Sequence, residues 1–135
     1  MKKALFIMLA IMFGLVVDTQ AQTYKFYSTD FAFRMKDQDG YWTELSEWHP
    51  SRCLVTLSLD RNIINIYSEE PQEFDIYDEV GEDEDNNGGI SFTLCCIDAD
   101  GLRCHIKIRR QKNDILQMYI EYGDLIYVYC LEERN

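Results

Sequence analysis

Basic residues are scarce in this sequence. Lys and Arg number 13 against 24 Asp and Glu, a formal net charge of −11. That balance argues against nucleic acid and anionic membrane surfaces as partners, because both repel an acidic chain. Histidine is scarcer still: His49 stands beside Pro50, and His105 sits in an alternating apolar run. The HExxH zinc motif, the GxSxG nucleophile elbow and a phosphate-cradling glycine loop are all missing. The expectation is a protein that is not an enzyme and carries no cofactor and no metal. Proline occurs only twice, and no Pro/Ser-rich linker or internal repeat divides the chain. Beyond the N-terminus no segment carries a helical apolar stripe, and none is apolar enough to cross a membrane as a helix.

What is present begins with "MKKALFIMLAIMFGLVVDTQAQ", which reads as a secretory signal peptide over residues 1–21. Lys2 and Lys3 supply the charged start and Ala4 to Val17 the apolar stretch, with Thr19 and Ala21 as the small residues before a cut at Gln22. The expected location is periplasmic or secreted, with no membrane attachment after cleavage. Residues 22–135 are enough for one domain with a single core, expected as a monomer or weak dimer. All five cysteines, Cys53, Cys95, Cys96, Cys104 and Cys130, fall in this part. Export places them where disulfides persist, and an odd count leaves at least one thiol unpaired within the chain.

The dominant period is two. "CLVTLSL", "NIINIYS", "EFDIYDEV", "ISFTLCCI", "LRCHIKI", "ILQMYIEY" and "LIYVYCL" alternate or run apolar, separated by turn signals such as "DRN", "DADG" and "QKND". "TYKFYSTDFAFRMK" reads as a longer first strand with a bulge near Ser28 to Asp30, where the apolar parity shifts. The pattern predicts an all-β, single-domain antiparallel up-and-down meander of about eight strands closing into a barrel, because closure removes two open edges. A two-sheet sandwich is the alternative.

The densest chemistry is "SFTLCCIDADGLRCHI" at 91–106. Gly101 suits the left-handed position of a three-residue hairpin loop, which sets Asp98 opposite Leu102 and Cys96 opposite Cys104. Ile90, Phe92, Leu94 and Cys96 then point inward, facing Leu102, Cys104, Ile106 and Ile108. Cys95 and His105 point outward. Ligands split across two faces cannot surround one zinc ion. Cys96 and Cys104 are therefore either small apolar core residues or a cross-strand disulfide.

Other candidates are weighed the same way. "DEDNNG" supplies Asp83, Asp85, Asn87 and Gly88, the first half of a calcium loop, but Leu94 stands where the bidentate Glu belongs. Its plain reading is a solvated acidic loop over 81–89. Trp42, Trp48 and Tyr127 are the candidates to line a ligand site at the barrel mouth. The inward set (Leu57, Leu59, Ile64, Ile66, Phe74, Ile76, Phe92, Leu94, Ile106, Ile108, Met118 and Ile120) is unbroken by polar residues and predicts a solid core. Ile63, Tyr67, Tyr77, Ile97, Ile115 and Tyr119 point outward and could mark a partner surface if contiguous.

The "GYW" at 40–42 resembles the Gly-x-Trp signature of lipocalins. "YWTELSEW", "INIYSEEPQEFDIYD", "CIDADGLRCHI" and "YIEYGDLIYVY" together resemble small uncharacterised exported proteins of Gram-negative bacteria. The resemblance implies a lipocalin-like or calycin barrel and transfers no functional residue. The functional expectation is an exported binding module for a small apolar or aromatic ligand at the barrel mouth. The alternative is a protein–protein interaction module or inhibitor, using the outward aromatics and the acidic 81–89 loop.

Overall fold

A computed structural model describes residues 23–133; the expected signal segment lies outside them. The described residues form nine strands and no helix: β1 (Thr23–Met35), β2 (His49–Pro50), β3 (Leu54–Ser58), β4 (Ile63–Tyr67), β5 (Gln72–Glu84), β6 (Ile90–Asp98), β7 (Arg103–Arg110), β8 (Leu116–Glu121) and β9 (Leu125–Glu133). From β3 to β9 each strand pairs antiparallel with the next. β1 pairs with β3 on one edge and β9 on the other, which closes an eight-stranded up-and-down barrel. The short β2 is the extra strand and pairs with β1 beyond the end of β3. Closure satisfies the edge hydrogen bonds that a flat meander would leave open.

One turn chemistry recurs in the hairpins. In "DADG" the Asp98 Oδ1 accepts the N–H groups of Asp100 and Leu102, each at 2.9 Å. The backbone bonds Asp98 N–H to Leu102 C=O and Gly101 N–H to Asp98 C=O close the loop. Gly101 holds φ at +82°, where a side chain would strain the backbone. Asp37 makes the same bonds to Asp39 and Tyr41, and Asp85 makes them to Asn87 and Gly89. Such turns fix register, and register decides which face is buried. Cys96 accordingly pairs with Cys104, as the spacing predicts.

All of the inward set but Ile76 is buried, with Phe74, Phe92, Leu94, Ile106, Met118 and Ile120 fully so, and Phe26 of β1 joins them. Each such side chain contributes about 1.5–3 kcal/mol by leaving water. The β1 bulge falls between Ser28 and Asp30. There the buried Ser28 Oγ accepts the Cys53 N–H at 2.9 Å and lies 2.9 Å from the Ser51 Oγ.

Three expectations need correction. Leu102 is 58% exposed, because its pairing with Asp98 lies at the hairpin tip, above the barrel wall. Ile76 is only half-buried, since β5 shifts register after it and again between Glu79 and Gly81. The acidic loop is shorter than 81–89: Gly81 to Glu84 pair with β6, and only 85–89 turn.

The barrel wall is uneven. The β1–β9 pairing continues up to Met35 and Leu125, whereas β3 and β4 end at the Leu54–Tyr67 pair. The connection from β1 to β2 follows the tall part of β1, with Thr43 N–H bonded to Met35 C=O and Ser46 N–H to Phe33 C=O.

Candidate functional site

The uneven wall leaves a cavity of about 730 Å³ at one end of the barrel. That is within the usual range for small-molecule sites. Phe31, Tyr127 and Tyr129 line its tall side, where alternation on β1 and β9 turns them inward. The Phe31 ring lies 5.7 Å from Tyr127 in a stacked arrangement and 5.1 Å from Tyr129 in a tilted one. Phe74, almost wholly buried, lines it from β5. Burial raises the Tyr129 pKa, against the opposing effect of the neighbouring Gln72 side chain. The rest of the rim is built from three turns: Ser68 to Pro71, Asp98 to Leu102, and Tyr122 to Leu125 at the start of the tall β9.

Carboxylates stand on every one of those turns: Glu70, Asp98, Asp100 and Asp124, with Glu73 at the start of β5. No Lys, Arg or His lines the cavity among the described residues. Asp98 is already engaged, because Tyr122 donates its hydroxyl to Asp98 Oδ2 at 2.8 Å while Oδ1 holds the turn. Partial burial raises its pKa, but the Leu102 N–H, the Tyr122 hydroxyl and the Asp100 N–H outweigh this and hold it below the usual carboxylate range. Glu70, Glu73, Asp100 and Asp124 have no ion pair or hydrogen bond on the carboxylate among the described residues.

The five cysteines are free thiols in the structure. Burial, followed by the neighbouring Asp98, pushes the Cys104 thiol up to about 11, and burial pushes Cys96 higher still. Both are therefore protonated at neutral pH and unsuited to nucleophilic attack. His49 and His105 are exposed and line no part of the cavity. No group of three or more His, Cys, Asp or Glu among the described residues is arranged to hold a metal ion.

Of the residues the sequence singles out for this site, only Tyr127 lies in the cavity. Trp42 sits on the outer face, with Arg34 5.1 Å and Lys36 5.4 Å from its ring centre. Trp48 is 41% exposed on the β1–β2 connection. The structure therefore does not bring the three together. Sequence reasoning missed Phe31, Tyr122 and Tyr129. Their signal was the alternation in "DFAFRM" and "EYGDLIYVY", which places aromatics of one parity on adjoining strands.

The acidic turn engages its own chain. Asp85 Oδ1 holds the turn, and Oδ2 accepts from Arg109 Nε at 2.7 Å, which keeps the carboxyl below its ordinary range. Asp83 lies in β5 opposite Ser91, so the half calcium loop does not form as a loop. Some outward aromatics have cations beside them, with Arg103 over Tyr77, Lys107 over Tyr119 and Arg52 over Tyr27 at 5.7, 5.0 and 4.9 Å, while Tyr67 is exposed.

No family model, no curated protein and no solved structure matches the chain. The functional reading therefore rests on the barrel and its mouth alone.

Proposed function

We propose that this protein is an exported, non-enzymatic binding module. It is a lipocalin-like barrel of the calycin kind, working as a monomer or weak dimer in the periplasm or outside the cell. It holds one small ligand with an apolar or aromatic body at the barrel mouth. The supporting observation is the cavity of about 730 Å³ walled by Phe31, Phe74, Tyr122, Tyr127 and Tyr129. Barrels of about eight strands commonly hold one small ligand when side chains do not fill them. Here a filled core and an open mouth share one barrel, so the site stands on a packed scaffold and opens to solvent.

The interaction-module reading has less support. Tyr77 and Tyr119 lie under Arg103 and Lys107, and Asp85 is held by Arg109. Those groups would have to give up existing partners to dock a protein.

The test is a native mass spectrum of the protein purified from its own host, beside a denatured, reduced control. An adduct on the native monomer that is lost in the Phe31→Ala variant supports the module. A clean monomer or dimer without adduct turns attention to the outer face. Mass change on reduction also reports whether Cys96 and Cys104 are bridged in the exported protein.

A further inference from the structure

We infer that the ligand of the mouth is an organic cation, an ammonium or guanidinium group carried on an apolar or aromatic body. This rests on the binding-module reading above and adds the charge. Three observations converge on it. The cavity wall is aromatic, and ring faces attract cations through their quadrupole. Its rim carries Glu70, Asp100 and Asp124 on three separate turns, from β4 round to β9, so the negative charge does not sit at one corner. No basic side chain lines the cavity among the described residues, so nothing local neutralises that charge.

Away from the mouth, arginines stand beside four of the acids: Arg52 pairs with Glu132, Arg109 with Asp85, and Arg110 with Asp114 and Glu133. At the mouth the only carboxylate engaged among the described residues is Asp98, and its partners are the Tyr122 hydroxyl and two backbone N–H groups. An anionic ligand such as a fatty acid would meet repulsion from every turn. A neutral apolar ligand would gain nothing from the rim. A bare metal ion finds no convergent set of ligating side chains among the described residues. A cation whose charge sits on a carbon skeleton satisfies both the rings and the rim.

The experiment uses three probes with one apolar body and different charge: phenylpropylamine, phenylpropanol and phenylpropanoate. Binding to the protein, purified as its host makes it, is followed by calorimetry and ligand-observed NMR at low and high salt. The amine is expected to bind about tenfold tighter than the alcohol, with the advantage shrinking in salt, and the carboxylate weakest. The combined variant Glu70→Gln, Asp100→Asn and Asp124→Asn changes only exposed side chains and should melt like the parent. It is expected to lose the preference for amine while keeping its affinity for the alcohol. Alcohol binding as tight as amine, carboxylate binding best, or a preference that survives the triple substitution overturns the charge inference and leaves the binding module standing. No binding of any probe at millimolar concentration overturns both.

Discussion

Three copies of one turn in the same barrel allow a single hydrogen bond to be weighed. Asp37, Asp85 and Asp98 each accept two backbone N–H groups through one carboxylate oxygen. They differ in what meets the second oxygen: no side chain for Asp37, Arg109 for Asp85, and the Tyr122 hydroxyl for Asp98. Asp37→Ala therefore removes only the exposed turn bonds, with water replacing them, and should cost about 1 kcal/mol. Asp98→Ala removes the same bonds and leaves the half-buried Tyr122 hydroxyl without its carboxylate. That adds about 1–1.5 kcal/mol, for a total near 2–2.5 kcal/mol. In a domain of this size the difference corresponds to a melting shift of about 4–8 °C. Tyr122→Phe in the Asp98→Ala background should then be nearly neutral, because the orphaned hydroxyl goes with its partner. Asp85→Ala should be the salt-sensitive member, since it breaks an ion pair. Urea unfolding followed by Trp42 and Trp48 fluorescence gives all these values. The same reasoning sets the acid side. The folded pKa of Asp98 lies below its ordinary value, so its contribution is complete above that ordinary value and disappears as pH falls through the folded one. Asp98→Ala should therefore flatten the acid limb of the stability curve. If Asp98→Ala costs no more than Asp37→Ala, the tyrosine bond contributes nothing and the argument fails.

Two further outcomes follow from the interior. Phe92→Ala empties a fully buried ring site and should cost about 3–5 kcal/mol by denaturant titration, whereas Met118→Leu, which nearly conserves volume, should cost less than about 1.5 kcal/mol. The Cys104 thiol, raised from 9.0 to about 11, favours the folded state fully below pH 9 and loses that contribution as pH rises toward 11; Cys104→Ala should therefore blunt alkaline unfolding, and an unchanged alkaline limb would refute the burial argument.

The barrel was legible because two local signals agree with its global shape. Alternation in β6 and β7 names the buried face, and the D-x-[DN]-G turns hold the register that puts that face inside. A one-residue slip would have set Arg103, His105 and Lys107 against the core, so the paired faces had a single consistent solution. Parity stopped being informative where strands outrun their neighbours. Leu102 continues the inward series by count, yet lies past the end of the wall. In β5 two bulges reset the count after Ile76.

The mouth was hidden for the same reason. Its existence depends on how far β1 and β9 rise above β3 and β4, a difference in height set by pairing partners far apart in sequence. An unbroken apolar inward set argues for a filled barrel, and over Phe26, Phe92, Ile106 and Met118 the barrel is filled. The cavity begins only where the tall wall loses its opposite side. There β9 passes from the aliphatic Leu131 to Tyr129 and Tyr127, and β1 adds Phe31. That change is visible in the sequence, but its meaning is not, because the same aromatics would serve equally well as core. Trp42 illustrates the converse. By residue type it was a stronger candidate than Phe31, yet one step of strand parity sets it with Arg34 and Lys36 on the outside. Which aromatics face a ligand is decided by wall height and parity together, and only the second can be counted along the chain.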